Sequence, residues 1–87
     1  MFVILVYDVQ TKRVDRIRRI AKKYLSPVQK SVFEGYLTES RINALKYELR
    51  QSIDPQTDSI LIYRSNGRYS LTKEQLGSFP GDTDFIL

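Results

Sequence analysis

Eighty-seven residues, 41% hydrophobic and 28% charged, make one small folded domain without a biased or repetitive segment, and one too short to bury a large core by itself. The chain has no Cys and no His, which excludes disulfides, zinc sites of the usual ligand type and Ser-His or Cys-His nucleophile systems together, and leaves chemistry to carboxylates, hydroxyls and cations. The formal charge is only +4, yet eight Lys or Arg stand between residues 11 and 30 against one acid, Asp15; such a block suits a polyanionic partner, a solvated helix face being the plainer alternative.

The first element is FVILVYD, Phe2 to Asp8, rich in β-branched and aromatic residues and apolar on both alternating faces, which predicts a strand in the interior of a sheet. It is too short to cross a membrane and has neither a basic leader nor a cleavage site, so the chain is expected to stay in the cytoplasm with no membrane partner. Asp8 closes the strand, and a carboxylate there needs a charged companion or solvent. From Lys12 to Leu25 the apolar residues Val14, Ile17, Ile20, Ala21, Tyr24 and Leu25 recur at helical spacing, with Arg16, Arg19 and Lys23 opposite. Pro27 is expected to end that helix, and QKSVFEGYL, Gln29 to Leu37, reads as a second strand.

Thr38 is a plausible N-cap for a helix that turns Ile42, Leu45, Leu49 and Ile53 inward and stops at Asp54-Pro55. SILIY, Ser59 to Tyr63, is a third strand, again apolar on both faces, and Asn66-Gly67 is a turn. Tyr69 to Phe79 is expected to hold a fourth strand, and Asp84 to Leu87 an added edge strand. These elements are read as the α+β, ferredoxin-like β-α-β-β-α-β sandwich, with the first and third strands in the middle of an antiparallel sheet and a short C-terminal strand. Residues 1–78 form the domain and residues 79–87 an extension. Two helices cover one sheet face only, so a second copy packed sheet to sheet about a two-fold axis is the economical cover for the other.

Tyr7-Asp8-Val9 at the end of the first strand, the basic first helix, and Gln29-Lys30-Ser31-Val32-Phe33-Glu34 together resemble the small CRISPR adaptation protein family, most closely from Met1 to Tyr63. The resemblance implies a ferredoxin-like homodimer and a metal-dependent endonuclease, acting on single-stranded RNA or duplex DNA. It places Asp8 of each subunit at the dimer axis around Mg²⁺ or Mn²⁺, with Tyr7 supporting the site. It also makes Arg13, Arg16, Arg19, Lys23 and Phe33 candidates for nucleic-acid contact. One or two carboxylates, several waters and a substrate phosphate are the ordinary ligands of Mg²⁺. The same resemblance implies a second role without cleavage, in which the dimer bridges dimers of the CRISPR integrase subunit, holds a duplex through Arg16, Arg19 and Lys23, and docks the integrase through Ser78 to Leu87 by strand addition.

Plainer readings stand beside these. Asp8 could cap the first turn of the helix; Tyr7 and Phe33 could be core aromatics; Gln29 and Ser31 could be polar positions on a half-exposed strand, and Lys30 a solvated one. The chain departs from the family where Ser26-Pro27-Val28-Gln29 replaces a Gly and a basic residue before the Val-Gln pair, and where Gln10 replaces further acids after the Asp. A ferredoxin-like regulatory domain binding a metabolite at its dimer interface, or a toxin-like ribonuclease acting without an integrase, are the readings from other classes.

Overall fold

The structure, a computed structural model, describes residues 1–67 and 70–78. Strand β1, Phe2–Asp8, alternates strictly: Val3, Leu5 and Tyr7 are buried while Phe2, Ile4 and Val6 are half-buried on the opposite face. A short 3₁₀ turn, Thr11–Arg13, leads into helix α1, Val14–Tyr24, which buries Ile17, Ile20 and Ala21. The helix stops where Leu25 turns extended, two residues before Pro27.

The segment expected as one strand, Gln29 to Leu37, is a hairpin. Strand β2 is Ser26–Gln29, Lys30 and Ser31 form the turn, and β3 is Val32–Tyr36. All four residues of β2 are exposed and it lies at the sheet edge, a position where Pro27 costs no interior hydrogen bond. Helix α2, Glu39–Ser52, is capped by Thr38, whose Oγ1 accepts the Arg41 N–H at 3.2 Å, and it buries Ile42, Leu45 and Leu49 as its spacing requires. Strands β4, Ser59–Gly67, and β5, Ser70–Gly77, complete one antiparallel sheet in the order β2-β3-β1-β4-β5. SILIY thus opens the fourth strand, not the third, and it is interior because β5 pairs along its outer edge. Asn66 and Gly67 end β4 itself, and the expected strand at Asp84 to Leu87, with the rest of residues 79–87, lies outside the described residues.

Both helices lie on one face, where Val3, Leu5, Tyr7, Phe33, Ile60, Ile62 and Leu76 meet the buried residues of α1 and α2 in a single core. The other face carries Ile4 and Val6 at its centre, and the register sets Tyr63 and Leu61 beside them on β4 and Val32 beside Val6 on β3. At its margins Tyr36 is 80% and Leu71 65% exposed. Apolar side chains on both faces of an antiparallel sheet ask for a cover on each. Beneath the start of β4, Gly77 has φ +82° and a Cβ there would lie 2.2 Å from the Asp58 carbonyl oxygen, so only glycine lets β5 close on that backbone. Among the described residues no helix is long and apolar enough to cross a membrane.

Candidate active site

Asp8 ends β1 opposite Ser59 of β4, exposed, on the sheet face away from the helices, in register with Val6 and Ile4. It lines a shallow depression with Tyr7, Val9, Val14, Lys30 and Ser31. Its carboxylate makes no ion pair or hydrogen bond among the described residues. The capping alternative fails, since the residues preceding the 3₁₀ turn and α1 are Gln10 and Arg13 and neither caps through its side chain.

Tyr7 beside it points the other way, into the core, and is 5% exposed. Its hydroxyl donates to the Lys30 carbonyl at 2.8 Å and its N–H donates to the Ser31 carbonyl at 3.1 Å, which pins the β2–β3 turn against the end of β1. Arg18, absent from the sequence-derived candidates, donates to the same Lys30 carbonyl at 2.9 Å, with its guanidinium 5.6 Å from the centre of the Phe33 ring. Phe33 itself is wholly buried. The expectation that it contacts nucleic acid is therefore corrected: a ring enclosed by the core has no free face on which a base could stack.

Arg13 is corrected as well. Its guanidinium forks onto Asp58, Nε donating to Oδ2 and Nη2 to Oδ1 at 3.1 Å. The Gln10 N–H donates to Oδ1 and the Asp54 N–H to Oδ2, each at 3.0 Å. A guanidinium committed to a buried carboxylate is not offered to phosphate, so Arg13 belongs to the architecture of the loop. Burial pushes the Asp58 pKa up, but the hydrogen bonds from Arg13, Asp54 and Gln10 and the charge of Arg13 outweigh it and hold the carboxyl well below the ordinary 3.8. A depressed native value stabilises the fold fully above the ordinary one, and that contribution is lost as the pH falls below 3.8 toward the native value. The melting temperature of the protein should accordingly fall steeply below about pH 4. In Asp58→Asn it should start several degrees lower at pH 7 and fall less steeply on acidification, by calorimetry across that range; parallel slopes would remove Asp58 from the acid limb.

The other cations divide by their partners. Arg16, Arg19 and Lys22 are exposed along the outer side of α1 and make no ion pair among the described residues. Lys23 instead donates to Glu48 of α2, which also accepts the Tyr24 hydroxyl, while the Arg41 guanidinium sits 4.5 Å from the centre of the Tyr24 ring. These contacts staple α1 to α2. The hydrogen bond from Lys23, then that from Tyr24, lowers the Glu48 pKa.

For a metal, no cluster of three or more His, Cys, Asp or Glu occurs among the described residues. Glu34 pairs with Ile4, four residues back along β1, and Asp58 is enclosed, so neither reaches Asp8. A single carboxylate at this site does not make a cage, but it fits a hard cation that keeps its waters and takes substrate phosphate oxygens as ligands.

Residues 1–73 match the family described as CRISPR associated protein Cas2. The chain belongs to the Cas2 family. It is 39% identical over 87 residues, the full length of both chains, to a CRISPR-associated endoribonuclease Cas2 of Methanosarcina acetivorans. It is 43% identical over 86 residues, 99% of each chain, to one of Thermotoga maritima. Among solved structures it is similar to Streptococcus pyogenes Cas2 in a crystal structure at pH 6.5, with TM-score 0.70, 36% identity and coverage of 76% of this chain and 87% of that one. A hypothetical protein from Thermus thermophilus superposes with TM-score 0.71 at 28% identity, covering 92% and 96% of the two chains. The Cas2 likeness thus runs through β1, the basic α1 and the hairpin that carries the Gln-Lys-Ser-Val-Phe stretch, and the α+β fold expected from the sequence is the fold of its relatives.

Proposed function

We propose that this Cas2 family protein is a metal-dependent endonuclease of CRISPR adaptation whose site forms when Asp8 of two copies meet, the copies being packed through the sheet faces that the helices leave bare. The observation that supports this best is that Asp8 is exposed, unpartnered and on the same face as the uncovered Ile4, Val6 and Leu61. The cover that buries those apolar residues then also brings two carboxylates together, which one chain cannot do. The relatives' name, endoribonuclease, favours RNA as substrate.

In the reaction, a water adds to phosphorus and the bond to the 3′ oxygen breaks, leaving 5′-phosphate and 3′-hydroxyl ends. A bound Mg²⁺ or Mn²⁺ supplies polarisation of the phosphoryl oxygen and a water of lowered pKa, which a chain without His otherwise lacks. The two Asp8 side chains hold negative oxygens at the two-fold axis. Tyr7 acts from behind, keeping the Lys30–Ser31 turn against β1 so that the depression beside Asp8 keeps its shape. The test is cleavage of labelled single-stranded RNA and duplex DNA with Mg²⁺ or Mn²⁺ and with chelator. Cutting that requires metal and leaves 5′-phosphates is expected; cutting that survives chelation, or none with either ion, overturns the reading.

The second reading, a duplex-DNA scaffold for the CRISPR integrase, draws on a separate observation: Arg16, Arg19 and Lys22 form a free cationic strip on the helix layer, away from the Asp8 face. The two readings are compatible within one protein, because they use different surfaces.

A further inference from the structure

Asp58 is the only wholly buried charged side chain among the described residues, and the nuclease reading gives it no task. Its carboxylate takes the Arg13 fork together with the Gln10 and Asp54 N–H groups, so it joins the loop after β1, the start of α1 and the α2–β4 loop at one point. Its backbone carbonyl accepts the Ser78 N–H at 2.9 Å, adding the end of β5. Asp8 lies between two ties to this point: its own pairing with Ser59, the residue after Asp58, and the bond from Gln10, two residues further on, to Asp58 Oδ1. An exposed carboxylate at a strand end has little else to hold it.

We propose that Asp58, oriented by Arg13, is a positioning residue for Asp8, setting the backbone from which the Asp8 carboxylate meets a divalent cation; this rests on the reading of Asp8 as the metal ligand. A core ion pair whose only task was to hold the layers together could be placed anywhere between them. This one spends an acceptor on the amide two residues beyond Asp8, and a carboxylate with charge-assisted bonds on both oxygens has a fixed plane. Partners that orient a ligand influence metal affinity without touching the metal.

The experiment measures Mn²⁺ binding to the full chain by electron paramagnetic resonance of the free ion, together with amide hydrogen exchange at Val9 and Gln10. It compares wild type, Asp8→Asn, Asp58→Asn and Arg13→Lys at a temperature where each is folded by circular dichroism. Wild type should bind Mn²⁺ and Asp8→Asn should not. Asp58→Asn should bind about tenfold more weakly, with faster exchange at Gln10 and unchanged exchange in α2. Arg13→Lys keeps the charge but loses the fork, so it should shift both readouts in the same direction by less, and it carries the test if Asp58→Asn does not fold. A variant with fast Gln10 exchange but wild-type Mn²⁺ affinity overturns the positioning role, as does slow exchange in both variants. Wild-type binding no tighter than that of Asp8→Asn overturns the metal reading itself, and the positioning role with it.

Discussion

Asp8→Asn should lose metal-dependent cleavage by about a hundred- to a thousandfold while binding duplex DNA as wild type does. Asparagine keeps the shape and one carbonyl oxygen but removes the charge, and in the proposed dimer it does so in both copies at once. Because Asp8→Asn is expected not to bind the ion, raising the Mg²⁺ or Mn²⁺ concentration should not restore the rate. Stability should stay within about 0.5 kcal/mol, because the side chain is exposed and unpaired and its backbone pairing with β4 is unaffected. Duplex binding should survive because Arg16, Arg19 and Lys22 line the outer side of α1, behind the sheet from Asp8. Cleavage rates of labelled RNA and DNA, with filter binding on the same samples, decide it. A mutant that cuts at the wild-type rate removes Asp8 from the chemistry, and one that loses both activities denies that cleavage and binding use separate surfaces.

The sequence exposed β1, α1 and α2 because each buries one regular stripe, and burial is what periodicity reports. It hid the β2–β3 hairpin because β2 buries nothing: Ser26, Pro27, Val28 and Gln29 are all exposed, so no pattern marks the segment as a strand. It also misjudged why SILIY is apolar on both faces. The reason is β5, which falls within the strand expected between residues 69 and 79 and pairs along the outer edge of β4, so SILIY is interior although it opens the fourth strand and not the third. At the site, Asp8 was legible as a carboxylate bordering an apolar strand. Asp58 borders SILIY in the same way, and that signal could have found it. The fate of Arg13 was not legible, because its partner lies 45 residues away and only the folded loops bring them together. Phe33 shows the limit of resemblance: a motif records which residues occur together, while the structure separates Asp8, at the surface, from an aromatic that holds the strand down. Lys23 shows the limit of a helical wheel, which places it among the free cations until Glu48 arrives from α2.

That distinction carries the second large effect. Replacing Arg16, Arg19 and Lys22 together with Gln should weaken duplex DNA binding about a hundredfold near 0.15 M salt and flatten the dependence of log affinity on log salt by about three. The arithmetic follows from counterion release: with a slope near 0.9 per phosphate contact, each contact is worth roughly a factor of five at about 0.15 M salt relative to 1 M. Gln is nearly as good a helix former as Arg or Lys, and the three side chains are exposed, so α1 should persist. The weakening should be the same for unrelated duplex sequences, since contacts to phosphate position a duplex without reading it. Lys23→Gln is the internal comparison. Its charge is already shared with Glu48, so it should change affinity less than Arg19→Gln does and should loosen the junction of α1 with α2. Fluorescence anisotropy of a labelled duplex across a salt series measures all of these. A triple variant with the wild-type slope would place the duplex elsewhere on the protein, and a single Lys23→Gln as damaging as Arg19→Gln would mean that DNA displaces Glu48 from its lysine.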